Sequence, residues 1–154
     1  MRYLSIIAMV CLLLIGCKKK KEEKILAGDS LTFGHFYGMC VGEECTETYR
    51  LTDEKLFEDS KDTYGCAGPY EFYEMPTEYF EIAASIPSLM PAELLASPDT
   101  SFGSPDIADG GGLFVQYKQG DRVQTWTMDI GDKNPAFLHD FVDLLNEKIK
   151  LLQE

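Results

Sequence analysis

In the last fifth of the chain, apolar residues return every three or four positions. Leu138, Phe141, Val142, Leu145, Ile149 and Leu152 fall on one stripe, which predicts an amphipathic helix packed along that face. Asn134 is placed to cap it and Pro135 to occupy its first position. Tyr79, Ile82, Ala83 and Ile86 repeat the period in "PTEYFEIAASI" and predict a second helix, ended at Pro87, with "PAELLAS" adding a turn or two. Elsewhere the period is two. "LFVQYK" and "RVQTWTMD", joined by "QGD", form the clearest hairpin, with Val123 and Trp126 on opposite faces. "SLTFGHFYGM" and "CTETYRL" predict a second pair around the four-residue loop "VGEE". Cys45, Tyr49 and Leu51 alternate there with Thr46, Thr48 and Arg50, and "EKLFED" and "EFYEM" read as further short strands. The pattern predicts an α+β fold: an antiparallel sheet of about four to six strands with two helices packed on one face.

Residues 3–15 follow neither period. Tyr3 to Ile15 carries no charge and is about 13 residues long, short of the roughly 20 a spanning helix needs. With Arg2 before it and Gly16-Cys17 after it, the stretch reads as a secretory signal peptide over residues 1–16. "LIGC", Leu14 to Cys17, resembles the lipobox of bacterial lipoproteins. That resemblance implies cleavage before Cys17, acylation of its sulfur and attachment to a lipid bilayer through the acyl chains. Lipoprotein sorting retains at the inner membrane those chains with Asp after the cysteine. Lys18 stands there instead, so the resemblance implies the outer membrane. "KKKKEEK", Lys18 to Lys24, completes a charged tether over residues 17–28, whose lysines can also lie on anionic headgroups. Residues 29–154 form the single folded domain.

The chain carries a net charge of −12, and −13 once residues 1–16 are removed. Nucleic acid is excluded as a partner, because its binding depends on lysines and arginines that neutralise phosphates. The domain retains three cysteines, Cys40, Cys45 and Cys66. In an exported protein thiols within reach of each other oxidise. The expected bridge is Cys40–Cys45 across the first hairpin loop, with Cys66 left free; a bridge from Cys66 to either is the rival. A zinc site from His35 and the three cysteines lacks CxxC spacing, as does a thioredoxin-like redox pair.

Two further stretches carry candidate chemistry. "SPDIADGGG" offers Asp106 and Asp109 ahead of three glycines, within a long Ser97–Gly112 loop. Calcium loops alternate their ligands as DxDxDG, so DxxDGGG matches poorly and a flexible approach to the next strand competes. His139 lies one residue off the C-terminal stripe and reads as a surface histidine. No G-x-S-x-G, H-E-x-x-H or P-loop occurs, and no cofactor is implied. Tyr37, Tyr70, Tyr73 and Trp126 are candidate contact aromatics, with Trp126 expected in the core.

"FGHFYGMCVGEECTETYRL" and the later "ADGGGLFVQYK" together resemble a group of small bacterial lipoproteins of the Bacteroidetes type. The resemblance supports outer-membrane placement and treats His35, Gly38, Cys40, Cys45 and Gly110 to Gly112 as one linked feature. It implies no activity. Two functions stand open. One is a non-enzymatic binding or accessory domain for an envelope protein or glycan, with His35, Asp106 and Asp109 as candidate contacts. The other is a small extracytoplasmic hydrolase or metal-binding protein using His35, Cys66, Asp106 or Asp109. The lipobox has a direct test. Expressed in a bacterium, the full-length chain is expected to partition into detergent, and Cys17→Ala to remain uncleaved or soluble; unchanged membrane attachment of the variant would contradict lipidation.

Overall fold

A computed structural model of the protein describes residues 29–154. The signal peptide, Cys17 and the lysine tether lie outside the described residues. The fold is α+β, built on β1 (Ser30–Phe36), β2 (Thr46–Leu51), β3 (Leu56–Asp59), β4 (Phe72–Glu74), β5 (Ser101–Phe102), β6 (Gly112–Gln119) and β7 (Arg122–Asp129). These strands form one sheet in the order β4-β3-β2-β1-β6-β7-β5. Each neighbouring pair is antiparallel except β5–β7, which is parallel.

The strand β1 is paired on both sides, so its alternation decides which side chains face which layer. Leu31 and Phe33 join Tyr49, Leu51, Leu113, Val115, Trp126 and Met128 in the main core. Three helices cover that face: α1 (Thr77–Ala83), α2 (Ala92–Ala96) and α3 (His139–Leu152). The predicted stripe is what α3 buries: Leu138, Phe141, Val142, Leu145, Ile149 and Leu152 are each at most 4% exposed. Ala83 and Ile86 are likewise buried, and Tyr79 and Ile82 pack against the same core. On the other face Phe36, Phe114 and Cys66 make a second, small core. There Arg50 lies over the Phe72 ring, 4.0 Å from its centroid, beside Tyr70. No helix among the described residues is long and apolar enough to cross a membrane.

The structure corrects the sequence reading in four places. The sheet has seven strands rather than four to six, because the two-residue β5 and three-residue β4 are too short to show a period. The sheet is not wholly antiparallel: β5 follows the helices as a crossover and joins β7 in parallel. Three α-helices form, not two, since "PAELLAS" becomes α2. Asn134 does not cap α3. Its buried amide donates to the carbonyls of Asp129 (2.7 Å) and Gly131 (2.8 Å) and closes the loop after β7. A 3-10 turn at Ala136–Leu138 intervenes, so α3 starts at His139.

Candidate functional site

The register that sends Leu31 and Phe33 into the core sends His35 to the same face. His35 stands opposite Glu47 on β2 and Leu113 on β6. Tyr49 stands opposite Phe33 and Glu58, and Glu58 opposite Tyr73. Toward this end of the sheet the helical cover runs out, because α3 ends at Leu152. Its last residues, Leu152 and Gln153, form one wall of a cleft of about 500 Å³, and His35, Tyr37, Glu44, Glu47, Tyr49 and Glu58 complete it. Both volume and open shape suit a small ligand or a protruding side chain.

Glu47 is the residue that stands out. It is only 8% exposed, and burial pushes its carboxyl up to about 7. Hydrogen bonds from the Gln153 side chain and from the Tyr49 hydroxyl, at 3.1 Å, oppose that push, while the charges of Glu58 and Asp62 add to it. Burial and the Glu47 charge raise Tyr49 in turn. The Tyr73 hydroxyl donates to Glu58. Burial lowers His35 below its usual range, against the opposing bond to the Glu44 carbonyl, 3.2 Å from Nε2. Since a carbonyl only accepts, Nε2 carries the proton and Nδ1 is left as an acceptor. The His35 and Tyr37 rings meet edge to face at 5.2 Å. At neutral pH, then, the cleft holds a neutral imidazole and a carboxyl near the midpoint of its titration.

Asp106 holds loops together. Its Oδ1 accepts the Gly38 N–H at 3.1 Å and the Gly111 N–H at 3.0 Å, and its Oδ2 accepts the Tyr64 hydroxyl at 2.6 Å. The Tyr64 bond first, then the two backbone bonds, holds this carboxyl below the usual carboxylate range. One side chain thereby clamps three loops. Gly38 and Gly111 are needed for it: a Cβ on Gly38 would lie 2.5 Å from Asp106 Oδ2, and one on Gly111 2.3 Å from the Tyr37 ring. The "DxxDGGG" segment thus forms a hydrogen-bonded turn ahead of β6. Asp109 is exposed beside Gly38, and no three acidic, histidine or cysteine side chains among the described residues are grouped to hold a metal.

The bridge is Cys40–Cys45, with a Cα separation of 5.4 Å, and Cys66 is free and buried. The loop carrying it is longer than "VGEE", however. Residues 37–45 lie between the strands, with a 3-10 turn at Glu43–Cys45. The bridge closes a ring within the loop instead of linking strand partners, and it fixes the stretch whose Glu44 carbonyl holds His35. Burial pushes the Cys66 thiol up to about 12. That thiol lies on the far sheet face, 3.4 Å from the His35 carbonyl oxygen, while the His35 imidazole faces the cleft. His139 is exposed at the start of α3, with Nε2 2.8 Å from the Asn134 carbonyl. The structure therefore brings Gly38, Asp106 and Gly111 together beside the disulfide loop. It does not bring Cys66 to either imidazole, nor Asp106 to a free position. Among the aromatics, Trp126 is core, Tyr37 and Tyr70 are half-buried and Tyr73 is exposed.

Glu47, Tyr49 and Glu58 are site residues that sequence reasoning missed. One signal was there: Glu47 shares the alternation of Cys45, Tyr49 and Leu51, an acid placed at an inward position of a strand. No known protein-family model matches the chain, and no curated protein matches it.

A raised carboxyl pKa makes stability fall as pH rises, because between about 4.5 and 7 the folded state binds the proton and the unfolded state does not. The lowered pKa of His35 acts oppositely, below pH 6.5. Glu47→Gln keeps the acceptor for Tyr49 and removes the charge. Relative to wild type, it is expected to stabilise the protein by about 1–2 kcal/mol at pH 8.5, allowing for solvent screening, and to change little at pH 4.5. Denaturant unfolding at the two pH values measures the difference.

Proposed function

We propose that this protein is a lipoprotein of the bacterial outer membrane, held by acyl chains on Cys17, whose domain binds a ligand of the envelope without transforming it. The lipobox resemblance of "LIGC" supports the anchor. The observation that carries the binding reading is Glu47. Keeping Glu47, only 8% exposed, in the wall of a solvent-open cleft costs stability that an apolar residue would not, and such costs concentrate at functional sites. The ligand is a small molecule, or a side chain of an envelope protein or glycan, that enters this cleft. Asp106 supports the loops and Asp109 remains at their rim.

A second reading has one specific observation in its favour. Glu47, pushed up to about 7, shares its cleft with Glu44 and Glu58, and a pair of carboxyls with separated pKa values is what acid–base hydrolysis requires. The version built on Cys66 has no such support, since its thiol lies across the sheet from the cleft.

Fractions of an envelope digest, containing glycan fragments and peptides, separate these readings. On the binding reading one fraction raises the melting temperature of the full-length protein in detergent, by mass action, leaves Glu58→Gln unmoved and is recovered chemically intact. Recovery of cleaved material would favour the hydrolase. No shift with any fraction would contradict both.

A further inference from the structure

The chemistry lining the cleft selects a ligand class, and the geometry points to an alkylammonium ion seated between Glu47 and Glu58, against the Tyr37 ring. This rests on the reading of the cleft as a binding site. Its walls offer many acceptors and, beside the Tyr37 hydroxyl, few donors. The Tyr49 hydroxyl is spent on Glu47 and the Tyr73 hydroxyl on Glu58, which leaves the tyrosine oxygens as acceptors. The His35 N–H is spent on the Glu44 carbonyl, leaving Nδ1 as an acceptor. The Gln153 side chain bonds Glu47. Among the described residues no lysine or arginine lines the cleft, while Glu44, Glu47 and Glu58 do, so a carboxylate or phosphate would enter against acids. A bare divalent cation wants six or more oxygens around it, and among the described residues no group of three metal-ligating side chains is assembled.

An ammonium head on an alkyl chain matches what remains. Its three donors suit a ring of acceptors. Its charge suits the carboxylates and the half-buried Tyr37 ring that lines the cleft. Its methylenes suit Leu152, the apolar patch of the wall. The volume, about 500 Å³, is far larger than a lone ammonium. Two sources carry this chemistry: a free diamine, or a lysine side chain presented by a peptide.

Binding should then be coupled to the Glu47 proton. The groups facing Glu47 are His35 from β1, Tyr49 on its own strand, Glu58 from β3 with Tyr73 behind it on β4, Asp62 and Glu44 from loops, and Gln153 beyond α3. Of these His35 alone carries a positive form. Burial lowers its pKa below the ordinary value, and Glu47→Gln separates its contribution from that of Glu47. Between pH 6 and pH 8.5 Glu47 passes from mostly protonated to ionised, while an alkylamine stays charged, having a pKa of about 10.

Titration calorimetry of the full-length protein in detergent tests this, with cadaverine and Nα-acetyl-lysine methylamide as the two amines and pentanol and pentanoate as neutral and anionic controls. Cadaverine or the lysine derivative is expected to bind about tenfold tighter at pH 8.5 than at pH 6, releasing protons as it binds. Glu47→Gln is expected to fold, to bind more weakly and to lose the pH dependence; any dependence left in that variant reports His35. The tighter of the two amines identifies the source. Equal or tighter binding of pentanol or pentanoate would overturn the ammonium assignment and leave a binding cleft standing. Amine affinity independent of pH, or unaltered in Glu47→Gln, would also overturn it. Absence of binding by all four, alongside a digest fraction that does bind, would refute the ligand class alone; absence with every fraction inert would refute the cleft itself.

Discussion

The register of β1 is the constraint on which the structure depends. Held between β2 and β6, this strand has no freedom to slip, because a one-residue shift would turn Leu31 and Phe33 away from the helices and place Thr32 and Gly34 there. Fixing those two apolar residues also fixes the third in their series, His35, and through the pairing of β1 with β2 it fixes Glu47. A polar cleft at the end of an apolar face is a consequence of the core that precedes it. It stays open because α3 ends at Leu152, before the row of His35 and Glu47 is covered.

What surrounds the cleft is held by short covalent and hydrogen-bonded links rather than by more core. The Cys40–Cys45 bridge constrains the loop whose Glu44 carbonyl binds the His35 ring. Asp106 ties Gly38, Gly111 and Tyr64 together, and the Tyr37 ring packs against Gly111 and meets the His35 ring edge to face. Closing a six-residue ring removes little chain entropy, so the bridge acts chiefly on local geometry. The far face adds Cys66, buried between Phe36 and Phe114. There its thiol serves as a small apolar group.

Much of the fold was legible because burial writes a period into the sequence. The α3 stripe, the β6–β7 hairpin and the opposed faces of Val123 and Trp126 followed from it directly. β4 and β5 are too short to carry a period, and no pattern distinguishes a parallel partner from an antiparallel one. Asn134 misled because a side chain that caps a helix and one that closes a loop look alike in sequence. The Cys40–Cys45 pair was legible from compartment and spacing, although the loop around it is longer than its turn residues implied. The site was less legible than the fold. His35 was singled out for its chemistry, but Glu47 and Glu58 are two acids among 26 acidic residues, and only their inward alternation distinguishes them. The hydrogen bonds of Asp106 were not legible, since its partners Tyr64 and Gly38 are 42 and 68 positions away.

The central claim is that the fold holds Glu47 between its two protonation states in the wall of an open cleft. The most direct measurement is the carboxyl carbon shift of Glu47, followed by NMR against pH in glutamate-labelled protein and assigned through Glu47→Gln. The account predicts a midpoint near 7. A midpoint near the ordinary glutamate value of about 4.3 would contradict it, and with it the argument that the β1 register creates a site.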